Sequence, residues 1–108
     1  MDVKEIYPAV EKIKQALIKK YDFSEEDRGL KYVQFTKLQE EIGELAEELL
    51  HYDKLQRSSK GESSSDNLQK EALDVLVTLL IFSSFLQLDL MKDLPKELER
   101  LHTRVVAD

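Results

Sequence analysis

The stretch KLQEEIGELAEELL, from Lys37 to Leu50, decides the fold. Leu38, Ile42, Leu45 and Leu49, with Phe35 just ahead of them, recur at spacings of three and four. That is the period of one helix face, predicted to pack inward. The same period runs through most of the 108 residues, which hold only three glycines and two prolines. No strand-like alternation persists, so the predicted class is all-α.

The same stretch carries Glu40-Glu41-x-x-Glu44, and a second stretch, KEALDVLVTLL from Lys70 to Leu80, carries Glu71-x-x-Asp74. Residues three apart on a helix are neighbours. Glu41 and Glu44 therefore point one way, and so do Glu71 and Asp74. Bringing the two helices together clusters four carboxylates with no obvious basic partner between them. At ~5 Å and an effective dielectric of ~20, each pair repels by roughly 3 kcal/mol. A cation in the gap relieves this, and an all-oxygen set suits Mg²⁺ or Mn²⁺. At ~100° per residue, Lys37, Glu41, Glu44 and Glu48 form a strip beside the apolar face, with Glu40 and Glu47 further towards water.

Four helices are predicted. The first covers about Asp2 to Lys20 with Ile6, Val10, Ile13 and Leu17 inward; Pro8 is read as a sign of a later start. The second runs from about Lys31 to Arg57, after a connection marked by Ser24 and Gly29. A polar loop, SSKGESSSD at 58–66, follows, read as a plain connection or a lid. Asp66 with Gln69 is predicted to cap a third helix, about Asn67 to Leu88. Beyond Asp74 that helix is apolar nearly all round and must be covered on every side. The expected architecture is a four-helix-type bundle completed by oligomerisation, as a homodimer or homotetramer. The last helix is placed at about Leu94 to Val106, capped by Asp93, with Pro95 in its first turn and Leu94, Leu98, Leu101 and Val105 inward.

The length fits a single domain, residues 1–108, with one modest core. Charged residues make up 35 % and apolar residues 42 %, as in soluble proteins. A net charge of −6 argues against binding a nucleic-acid polymer. The absence of cysteine excludes disulfides and thiolate zinc sites. The apolar run Val75–Leu90 falls short of the ~20 residues of a membrane span and is broken by Ser83, Ser84, Gln87 and Asp89. With no signal peptide in view, the expected compartment is the cytoplasm.

The two acidic segments, with the Gly43-Glu44-Leu45 triplet and the apolar run after Asp74, resemble the MazG-like nucleoside triphosphate pyrophosphohydrolases. The likeness spans about Tyr32 to Leu90. It implies an all-α NTP pyrophosphatase-like fold and Mg²⁺ ligands at Glu41, Glu44, Glu71 and Asp74. It also implies hydrolysis of a (deoxy)nucleoside triphosphate to the monophosphate and pyrophosphate. Family members carry Lys, Asn and Arg near the C-terminus against phosphates. Here KELERLHTR, from Lys96 to Arg104, offers Lys96 and Arg104 but no Asn at the expected place.

Glu40 and Glu44 are the candidates for taking a proton from the attacking water, with Glu41 beside them. Lys37 is read as a phosphate contact or an i,i+4 partner of Glu41. Tyr32, Gln34 and Phe35 offer a stacking face and an amide for a base edge, against a plain packing or surface role. His51 and His102 are isolated, and no Glu-x-x-His motif supports a di-iron bundle. A phosphoribosyl-ATP pyrophosphohydrolase and a non-catalytic helical dimerisation module are the competing readings.

Overall fold

Four α-helices carry almost all of residues 1–21, 29–53 and 64–106, which the computed structural model describes. They are α1 (Val3–Lys20), α2 (Leu30–Tyr52), α3 (Ser65–Phe85) and α4 (Leu90–Val106). The connections at 22–28 and most of the polar loop at 58–66 lie outside the described residues, as do the last residues predicted for the second helix.

Helices α1, α3 and α4 start where a side chain can take an orphan amide, whereas α2 starts at Gly29 without a side-chain cap. The Asp2 carboxylate accepts from the Val3 amide at 2.6 Å, and the Glu5 carboxylate accepts from the Asp2 amide at 3.3 Å, which completes a capping box. α1 therefore begins ahead of Pro8, which sits inside it at the loss of one backbone hydrogen bond. α3 starts earlier than predicted. Its cap is Ser64, whose hydroxyl accepts from the Asn67 amide at 3.2 Å, and Asp66 lies within the first turn. α4 likewise starts earlier. The Asp89 carboxylate accepts from the Lys92 amide at 3.2 Å, so Asp93 lies inside the helix and Pro95 in its second turn.

α3 stops at Phe85 by wrapping its end. The Gln87 amide donates to the Ser84 carbonyl at 3.1 Å, and the Leu88 amide donates to the Ser83 carbonyl at 3.0 Å. This is the Schellman pattern, and it needs a left-handed residue at Gln87, whose φ is 60°. Glutamine is strained there, because its Cβ crowds the backbone. Gln87→Gly is expected to stabilise the fold by about 1 kcal/mol, read as a higher urea midpoint at unchanged slope. An unchanged midpoint speaks against the strain.

α2 and α3 form the principal helix pair, with the Phe35 and Phe82 rings 5.4 Å apart. α1 lies across α3, and α4 turns away from α3 by 116° to pack on α1. Among the described residues the buried apolar side chains are Val10, Ile18, Leu30 and Leu38. The hydroxyls buried in α3 are satisfied locally: Thr78 donates to the Asp74 carbonyl at 2.7 Å and Ser83 to the Leu79 carbonyl at 2.8 Å. No single helix among the described residues is long and apolar enough to cross a membrane.

Three inward faces differ from expectation. On α1 the buried positions are Val10, Lys14 and Ile18, and Ile13 is exposed. On α2, between Gln34 and Glu48, the less exposed positions are Gln34, Leu38, Glu41, Leu45 and Glu48, while Phe35, Ile42 and Leu49 are nearly half-exposed. The helix is thus turned by roughly 60° from the orientation its apolar stripe predicts. The turn carries Glu41 towards α3. α4 exposes its stripe as well, and no residue of α4 is buried.

Candidate metal centre

The rotation of α2 builds the site. Glu41 and Glu44 on α2 meet Glu71 on α3, with one carboxylate oxygen from each lying within 4.8 Å of the other two. Glu41 is largely covered, its side chain 12 % exposed, whereas Glu44 is at the surface. Glu71 is half-buried, and its Oε2 is shut off from solvent with no hydrogen-bond partner. A buried carboxylate oxygen without a donor is costly. Three converging carboxylates, one of them with an orphaned oxygen, fit a hard divalent cation in charge and chemistry. The arrangement is a small helical bundle with an acidic cluster compatible with a metal site.

Charge in the cluster is visible in its protonation. The Glu44 carboxyl is held above its ordinary value of 4.5. The charge of Glu41 contributes most, followed by desolvation, a hydrogen bond with Glu41 and the charge of Glu71, while Lys37 pulls the other way. Nearby negative charge makes Glu44 slower to give up its proton when no cation screens it.

Basic groups do stand at the edges: Lys37 makes the i,i+4 pair with Glu41 that the sequence offers, and Lys70, which the sequence reading did not place, meets Asp74. Lys37 Nζ lies 3.6 Å from Glu41 Oε1 and 3.8 Å from Glu40 Oε2. Lys70 Nζ donates to Asp74 Oδ2 at 3.2 Å. That contact, with the charge of Asp74, is the leading cause of the raised Lys70 pKa. Asp74 is one turn along α3 from Glu71 but is not drawn into the triad. Both lysines are well exposed, and one-turn pairs of this kind contribute a few tenths of a kcal/mol. Such pairs yield readily to a multiply charged ion.

Beside the acids, α1, α2 and α3 enclose a cavity of about 390 Å³. Leu17 and Tyr21 of α1, Gln34 and Lys37 of α2, and Thr78 and Phe85 of α3 line it. Gln34 and Lys37 therefore reach the space next to the triad. Tyr32 does not; it borders a neighbouring open groove with Thr36 and Glu40, which shares Val33 and Lys37 with the cavity, and the Lys31 ammonium lies 5.3 Å from its ring. Glu40 is exposed and outside the triad. Lys96 and Arg104 are exposed on α4, whose packing is against α1. Leu17 and Tyr21 carry no sequence signal for this role, since only the crossing of α1 over α3 brings them here.

Comparison of the chain with protein-family models, curated proteins and solved structures gave no match.

Proposed function

We propose that the protein is a Mg²⁺-dependent nucleoside triphosphate pyrophosphohydrolase that clears (deoxy)nucleotides from the cytoplasmic pool. The observation that carries this reading is the Glu41–Glu44–Glu71 triad beside an apolar cavity with an amide in its wall. The motif likeness to MazG-like enzymes supports it. Mn²⁺ is the natural substitute for Mg²⁺ in an all-oxygen site.

Glu41, Glu44 and Glu71 would hold the cation, with Asp74 joining once Lys70 swings out. A divalent ion bound there neutralises phosphate oxygens and lowers the pKa of a water. Glu44 is the better placed of the two candidate bases, because it stands at the exposed edge of the triad, whereas Glu40 lies outside it. Lys37 is released from Glu41 to face phosphate. The cavity would take the base, with Gln34 offering both a donor and an acceptor to its edge. Lys96 and Arg104 act on phosphate only if α4 reaches a site, which assembly with another copy provides.

The test is pyrophosphate release from a panel of canonical and modified (d)NTPs, with Mg²⁺ and with EDTA. Mg²⁺-dependent release with the monophosphate as co-product is expected. Release from none of them, with turnover of phosphoribosyl-ATP instead, moves the substrate assignment; no turnover of either leaves a non-catalytic helical module as the better reading.

A further inference from the structure

Lys70 is not placed for the benefit of its helix. It pairs with Asp74 one turn further along α3, its Nζ donating to Oδ2 at 3.2 Å. A base that precedes its acid by four residues is the weaker order of such a pair, because it opposes the helix dipole. Lys37 stands in the same order before Glu41 on α2, 3.6 Å away. Each acid-bearing helix thus sets a lysine one turn ahead of a carboxylate at the cluster. Helix stability gives no reason for that repetition, and the cluster gives one.

The reason is charge. Asp74 lies one turn from Glu71 on α3, and Glu71 meets Glu41 and Glu44 across the helix pair. The Lys70 ammonium responds to more than its direct partner. The hydrogen bond and charge of Asp74 raise its pKa most, and the charges of Glu71 and Glu41 add to that rise against desolvation. The side chain of Lys70 is 72 % exposed, against 39 % for Asp74. It therefore caps the outer edge of the cluster without being packed in place. An exposed ammonium on a four-carbon stem leaves its partner easily, and the stem keeps it within reach afterwards.

We propose that Lys70 is the counter-ion this cluster keeps for itself: it holds Asp74 in the chain alone, releases that carboxylate to a divalent cation, and then turns its ammonium to the phosphates of the substrate. The inference rests on the metal-dependent reading of the site and adds an order of events to it. Lys70 and the cation compete for one carboxylate, so Lys70 weakens the binding of free metal. Lys70 and polyphosphate do not compete, because opposite charges meet on the solvent side of the cluster. One side chain thereby lowers the affinity for metal alone and raises the affinity for polyphosphate once metal is present. A site built this way favours metal that arrives with its substrate.

Calorimetric titration tests it with two probes, Mg²⁺ alone and inorganic tripolyphosphate in saturating Mg²⁺. Lys70→Met is expected to bind Mg²⁺ roughly three- to tenfold more tightly than wild type, and tripolyphosphate more weakly by a similar factor. Lys92→Met removes the same charge from an exposed position on α4 and should change neither affinity. Lys70→Arg keeps the charge, can grip the carboxylate with two donors, and should bind Mg²⁺ no more tightly than wild type. A lysine with only a structural role would not move the two affinities in opposite directions. Wild-type Mg²⁺ affinity in Lys70→Met overturns the proposal and leaves the metal site standing. Equal tightening in Lys92→Met also defeats it, by reducing the effect to net charge, as does unchanged tripolyphosphate binding in Lys70→Met. A wild-type chain that takes up no Mg²⁺ removes the proposed function itself, and this inference with it.

Discussion

Millimolar Mg²⁺ is expected to raise the melting temperature of the wild-type protein, and Glu71→Gln to remove that rise. A site that binds only in the folded state adds about 1.4 kcal/mol at ten times its dissociation constant. For a chain of this length that corresponds to roughly 5–10 °C. The glutamine keeps the shape of Glu71 but supplies no charge to the triad. In EDTA the same variant should melt no lower than wild type, because it removes repulsion with Glu41 and Glu44. That pair of outcomes separates a lost ligand from a damaged fold. Glu41→Gln and Asp74→Asn are expected to abolish pyrophosphate release with helicity intact, and activity retained in both rules out this ligand set.

The Glu44 carboxyl adds a pH signature. Its raised value means that the folded chain holds a proton more tightly than the unfolded chain does. Metal-free stability from this group therefore falls as pH rises from the ordinary value of 4.5 through the raised one. A cation displaces that proton, so the Mg²⁺-dependent rise in melting temperature should grow across the same window. A rise that is flat with pH would detach the proton from the metal site.

Lys14 is the second large lever. It is 6 % exposed, donates to the Ser84 carbonyl at 3.3 Å, lies 3.4 Å from the Glu11 carboxylate, and sits 5.7 Å above the Phe85 ring. One ammonium thus ties α1 to the end of α3. Glu11 Oε1 is itself buried without a hydrogen-bond partner, so the carboxylate relies on this charge and on the Tyr7 hydroxyl. Removing one member of a covered ion pair strands the other. Lys14→Met is expected to cost about 2 kcal/mol, reduced from the fully buried case because Glu11 is partly exposed. Adding Glu11→Leu should recover most of that loss. Equal unfolding midpoints for Lys14→Met and the double variant would show that Glu11 is not stranded by the loss of the ammonium.

The helices were legible because their signals are local. The period of Leu38, Ile42, Leu45 and Leu49 requires a helix whatever surrounds it. The caps were harder, since Ser64, Asp66, Asp89 and Asp93 are all suitable residues and neighbouring positions compete. The cluster was legible in part. Spacing alone makes Glu41 and Glu44 neighbours, and α3 supplies Glu71 once the hairpin closes. It also offers Lys37 as the i,i+4 partner of Glu41, which the structure shows, but says nothing of Lys70, whose flexible side chain claims Asp74.

By itself the sequence determined an all-α chain with an acidic edge on one helix and an acidic turn at the head of another. These depend on residue spacing along a single helix, and 3.6 residues per turn leaves no freedom there. The tertiary structure decided the angle at which α2 meets α3. That angle draws Glu41 inward, leaves Phe35, Ile42 and Leu49 half-exposed, and opens a cavity under the crossing of α1. The rotation of a helix about its own axis is set by the sum of many weak packing contacts with its neighbours, and no stretch of one strand of sequence contains that sum.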